Sequence, residues 1–148
     1  MNRFCLACFC TLLLFAPIAP SQGAAPKGMA FIKGGTFVMG TSEGFPYEGP
    51  AHEVTLRSFW MDKYEVTVAE FTRFVKATGY KTEGERLGWC GVFDLGAREW
   101  KKVDGADWRH PEGPRSAAGQ DEPVAQVSWN DATAYARWAA KRLPTEAE

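Results

Sequence analysis

Apolar residues in this chain fall mostly in short blocks of four or five, and switch to helical spacing in two places. The first helical stretch follows Thr67. Val68, Phe71, Phe74 and Val75 recur at three- and four-residue intervals, which lines one face of an amphipathic helix. Thr67 with Glu70 three residues on has the spacing of a capping box, and Thr78-Gly79 supplies the stop. The second stretch follows Ser128, with Asp131 at the third helical position, where a carboxylate favours the free N–H groups and the helix dipole. Ala132, Tyr135, Ala136 and Ala139 form its expected buried stripe, flanked by Trp129 and Trp138, and the helix is expected to run to about Lys141. Leu143-Pro144 stops it. Thr145 and Glu148 then repeat the capping-box spacing and announce a further helix. A helix that begins at the last residue has nothing to pack on, so the chain is expected to be an incomplete piece of a larger domain.

The short apolar blocks read as strands. Met29–Ile32 and Thr36–Met39 flank Lys33-Gly34-Gly35, which predicts a hairpin. Thr41–Pro50 carries two glycines and two prolines and is a loop. His52–Leu56 alternates, with Val54 and Leu56 on one face, and Phe59–Met61 is a second extended run. Pro123–Val127 is expected to be a short strand leading into the second helix. Between Tyr80 and Gln120 periodicity falls away. Val92–Asp94 and Glu99–Val103 form two short strand candidates about Leu95-Gly96, set among many glycines. Trp89, Trp100 and Trp108 argue against a solvated tail, so the segment is expected to be a packed irregular surface, a groove wall.

The first 25 residues differ in kind. Arg3 precedes an apolar run from Phe4 to Pro20, and Ser21, Gly23 and Ala25 are small residues spaced for cleavage. Residues 1–25 therefore read as a secretory signal peptide, with an uncleaved N-terminal anchor as the other reading, and residues 26–148 as the domain. The location that follows is export to the periplasm or outside the cell. No other apolar run is long enough to span a membrane. Seventeen basic and 18 acidic residues, net charge -1, exclude a surface built to track phosphates, so nucleic acid is not an expected partner.

Candidate chemistry is sparse. Cys5, Cys8 and Cys10 lie in the expected leader, leaving Cys90 alone in the domain. One thiol closes no internal disulfide; Cys90 is a buried apolar residue, a reactive thiol, or half of a bridge to another chain, and the buried reading is preferred. His52 has no partner at metal-ligand spacing. The word Trp108-Arg109-His110-Pro111-Glu112-Gly113-Pro114 places Arg, His and Glu close together. It builds either a hydrogen-bonding site or a self-satisfied loop in which Arg109 pairs with a carboxylate; residue chemistry favours the loop. No nucleophile stands at catalytic spacing from His110.

Six ordered words carry a family likeness: GGTFVMG (34–40), EVTL followed by FWMDKYEVT (53–67), TGY (78–80), WRHPEGP (108–114), PVAQVSWNDA (123–132) and KRLPTEAE (141–148). Together they resemble the N-terminal half of the sulfatase-modifying-factor, or formylglycine-generating enzyme, family. The resemblance implies an α+β fold, an irregular, loop-rich variant of the C-type-lectin fold, here truncated. It implies an oxidase that converts a cysteine of a sulfatase-type protein to formylglycine with O2, using copper held by two cysteines, with calcium supporting the fold. Thiolates suit reduced copper. Those ligands belong to the family's C-terminal half, so no catalytic, cofactor or metal residue maps onto this chain, and the chain alone is expected to be inactive. What does map is a candidate wall of the substrate groove: Trp89, Cys90, Trp108, Arg109 and His110. Two departures stand out. Ala136 occupies a position where exported members often carry a disulfide cysteine, and Trp89-Cys90 stand where an acid and a serine are usual. These leave open a relative with a different substrate, or a non-enzymatic lectin-like binding module.

Overall fold

The computed structural model describes residues 25–148. The expected signal peptide lies outside the described residues except for Ala25. Three two-stranded antiparallel ribbons and three helices follow in the order β1 (Met29–Ile32), β2 (Gly35–Met39), β3 (His52–Leu56), β4 (Phe59–Asp62), α1 (Val68–Thr78), α2 (Glu83–Leu87), β5 (Trp89–Asp94), β6 (Glu99–Asp104) and α3 (Trp129–Trp138). Among the described residues no helix is long and apolar enough to cross a membrane.

The expected hairpin between the first two strands does not form. β1 pairs with β4, Met29 opposite Asp62 and Ile32 opposite Phe59, while β2 pairs with β3, Gly35 opposite Leu56 and Met39 opposite His52. The connection that reverses the chain is Gly40–Ala51, which holds a 3₁₀ turn at Pro46–Glu48. Lys33-Gly34 faces Arg57-Ser58 across the ribbon, and the Gly34 N–H donates to Ser58 Oγ at 2.9 Å. A Cβ on Gly34 would meet Leu56 O at 2.5 Å and Ser58 N at 2.6 Å. Gly34 therefore serves a close crossing of two backbones rather than a turn, a use that local sequence does not distinguish from a hairpin.

Helix α1 forms as its spacing predicts. Thr67 Oγ1 accepts from the Glu70 N–H, the Glu70 carboxylate accepts from the Thr67 N–H, and Gly79 closes the helix at φ 67°. Val68, Phe71 and Phe74 are buried, and with Trp108 they form the core. Phe71 has the Phe74, Trp108 and Tyr135 rings around it at centroid distances of 5.3, 5.2 and 5.8 Å. Tyr80 and Trp138 extend the cluster through Phe74.

Helix α3 begins at Ser128 as expected, with the reciprocal Ser128–Asp131 cap, but it ends at Trp138. Ala140 takes a left-handed φ of 55°, and the Lys141 N–H reaches back to Ala136 O at 2.7 Å. This is the Schellman closure, in which the last carbonyls are capped early. Lys141 is thus released to hold both oxygens of Asp62, each at 2.7 Å. Within the expected stripe only Ala136 is fully buried.

Pro123–Val127 is not a strand. It makes a single bridge, Thr67 with Pro123, and the Val124 N–H donates to Val66 O at 2.8 Å. Gln126 at φ 55° then breaks the extended path. The two short strands about Leu95-Gly96 do form, and are longer than expected. They pair as β5 and β6, from Trp89 opposite Asp104 to Asp94 opposite Glu99.

Candidate functional site

The five candidate groove residues lie in two neighbouring segments at the base of the β5–β6 ribbon. Trp89 and Cys90 open β5, and Trp108, Arg109 and His110 follow the end of β6. The Gly105 N–H donates to Gly88 O at 2.8 Å, so the loops before β5 and after β6 leave the ribbon side by side. The five side chains do not all face solvent. Trp108 is 2% exposed and belongs to the core, Trp89, Cys90 and His110 are half-buried, and Arg109 is exposed.

Helix α2, unforeseen in the sequence, organises this corner. Thr82 Oγ1 accepts from the Glu85 N–H and Glu85 Oε2 accepts from the Thr82 N–H, the same reciprocal cap as in α1. The word Thr82-x-x-Glu85 carried that signal, obscured by five residues of helix and a glycine in the middle. That glycine, Gly84, lies flush on β5: a Cβ there would meet Cys90 Sγ at 2.5 Å.

Glu85 is the hub. Oε1 accepts from Arg109 Nη1 at 2.7 Å, and Oε2 accepts from Trp108 Nε1 at 3.3 Å and from the Thr82 hydroxyl at 3.1 Å. Partial burial pushes its carboxyl up, but the Thr82 N–H and the Arg109 and Thr82 side chains outweigh that, so it sits below its usual value. The Arg109 guanidinium also lies 4.0 Å over the Trp108 ring. The carboxylate that satisfies Arg109 therefore comes from outside the WRHPEGP loop. His110 turns to Asp107, not to Glu112: its Nδ1 lies 3.2 Å from Asp107 Oδ1, which also accepts from the Arg109 and His110 N–H groups at 2.7 and 2.9 Å. Glu85 and Asp107 border a cleft of about 300 Å³ beside Gly84, Gly88 and Gly105. Neither acid was singled out in the sequence, since each gains its partners only through folding.

Cys90 is a free thiol, half-buried. Burial pushes it up, and the negative charges of Asp107 and Asp131 push in the same direction. It stays protonated near neutral pH, which suits neither a nucleophile nor a thiolate ligand. Among the described residues no three His, Cys, Asp or Glu side chains converge as a metal site. With a single raised thiol, these residues do not fit a two-cysteine copper centre. Alkylation of Cys90 by iodoacetamide, followed by mass spectrometry of its peptide, is expected to be slower near neutral pH in the native chain than after denaturation. Equal rates would contradict the protected, protonated thiol.

Short ribbons strapped to capped helices by long irregular segments define an α+β fold, the loop-rich C-type-lectin variant. The chain belongs to the family described as the sulfatase-modifying factor enzyme 1-like domain, whose model matches residues 15–148. It is 47% identical to a formylglycine-generating enzyme of Streptomyces coelicolor, over 90% of this chain and 50% of that protein. It is 40% identical to the inactive C-alpha-formylglycine-generating enzyme 2 of Mus musculus, over 92% of this chain and 50% of that protein. The solved structure of PvdO from Pseudomonas aeruginosa superposes with a TM-score of 0.51 and 30% identity, covering 76% of this chain and 39% of that one. The chain thus spans about half the length of the relatives it matches.

Proposed function

We propose that this chain is the scaffold and part of the substrate-groove wall of an exported formylglycine-generating oxidase, which converts a cysteine of a sulfatase-type protein to formylglycine with O2. The family match across nearly the whole chain carries this reading. Copper and calcium enter through the family alone, and their ligands are placed in the half of the relatives that this chain does not span. The wall's part is to position a polypeptide. The rigid Glu85–Arg109–Trp108 corner and the Asp107–His110 pair present fixed hydrogen-bonding groups beside the cleft. Asp107 brings negative charge to bear on Cys90, beside the position where an acid is usual in the family.

A second reading has its own support. A relative named as inactive is 40% identical over 92% of this chain, so likeness in this region does not separate oxidases from binding modules. Co-expression with a sulfatase tests both. The chain alone is expected to leave the sulfatase cysteine unconverted by mass spectrometry. The same chain fused to the second half of the Streptomyces coelicolor enzyme is expected to yield formylglycine. Conversion by the chain alone would overturn the assignment of catalysis to the other half. A folded but inactive fusion would favour the binding module.

A further inference from the structure

A second cleft has Trp108 and Arg109 in its lining and does not include Glu85. It is a space of about 300 Å³ between α1 and the segment from Trp108 to Gln120. Its apolar lining comes from Val68, Val75, Trp108 and Ala118, with Lys76 and Arg109 at the same cleft and no acidic residue among those that line it. Helix α1 therefore serves two faces. Val68, Phe71 and Phe74 fill the core, while Thr72, Val75 and Lys76, with the edge of Val68, line the cleft.

The walls are held by backbone bonds. The Ala69 N–H donates to Gln120 O and the Val68 N–H to Glu122 O, each at 2.9 Å, and the Ala118 N–H donates to Arg109 O at 2.9 Å. These strap the loop to the start of the helix. The two cations differ. Arg109 already spends one donor group on Glu85, which fixes its position, and Lys76 has no carboxylate within ion-pair distance among the described residues. An apolar pocket of this size with two cations and no acid is complementary to a small anion with a hydrocarbon body.

We propose that this cleft binds an organic carboxylate bearing a compact apolar group, with its charge at Lys76 and Arg109 and its hydrocarbon part against Val75 and Ala118. It shares Trp108 and Arg109 with the proposed groove wall but opens against α1, and it does not depend on the oxidase reading. Phenylacetate and its neutral isostere phenylacetamide test it on the full chain by saturation-transfer NMR. Phenylacetate is expected to bind in the millimolar range or tighter, and phenylacetamide about fivefold more weakly, the upper range for an exposed charge pair. Lys76→Gln, an exposed change that leaves the core alone, is expected to weaken phenylacetate about fivefold and leave phenylacetamide unchanged. Thr72→Trp fills the cleft and is expected to abolish both signals with the far-UV circular dichroism retained. Equal binding of acid and amide, indifference to Lys76→Gln, or no phenylacetate signal at 10 mM ligand (roughly the limit of millimolar binding) would each overturn the proposal.

Discussion

Asp131→Ala is expected to cost about 3–5 kcal/mol, enough to remove most of the cooperative folding of a typical domain. Asp131 is fully buried and occupies the third position of α3. Its carboxylate accepts from the Ser128 N–H at 2.9 Å, which caps its own helix. It also accepts from the Glu83 N–H at 3.1 and 3.3 Å, the first residue of α2, and from Tyr80 Oη at 2.9 Å. One side chain therefore serves two helix N-termini and the phenol between them. Removing it leaves three donors facing the space of a buried carboxylate, and each unpaired buried donor costs about 1–3 kcal/mol. The Tyr80 phenol, raised by burial and then by its bond to Asp131, gains no substitute acceptor. Denaturant unfolding followed by tryptophan fluorescence would measure the effect. A loss below about 1 kcal/mol would mean that water enters and replaces the carboxylate.

Phe71→Ala is expected to cost a similar amount, about 3–5 kcal/mol, by a different route. Phe71 is 1% exposed and touches aromatic rings from α1, α3 and the WRHPEGP loop. Truncation leaves a cavity where three elements meet, and the rigid rings around it collapse poorly. The loss extends to the Glu85 corner, because Trp108 packs on Phe71 and links to Glu85. Near-UV circular dichroism should therefore fall along with stability. Phe71→Leu is expected to retain most of both, at a cost of about 1–1.5 kcal/mol. Equal losses for Leu and Ala would show that ring stacking matters more than filled volume.

These two residues differ in how much of their role could be read from the chain. Phe71 was legible: helical spacing placed it on a buried face, and the fold put it at the centre of the core. Asp131 was legible as a cap for α3 only. Its bonds to Tyr80 and to Glu83 span 51 and 48 residues, so no local pattern announces them. The ribbon β1–β4 failed in the same way. A strand block and a glycine are local signals, but whether the glycine turns the chain or lets two backbones cross depends on a partner more than twenty residues away. The candidate groove residues show both sides. Their words in the sequence identified the family, yet Trp108 proved to be core, and the acids Glu85 and Asp107 emerged only where α2 and the end of β6 meet.

From its sequence alone, then, this protein discloses its caps, its helical faces, its two short strands about Leu95-Gly96 and its family. All of these are properties of neighbouring residues or of ordered words. Only the tertiary structure decides which strands pair, that Asp131 joins two helices, and that Arg109, which lines one cleft, is pinned by Glu85, which lines another. The physical reason is distance along the chain. Hydrogen bonds within a turn leave a spacing in the sequence, whereas a buried carboxylate or a close backbone crossing is satisfied by whatever the fold brings to it.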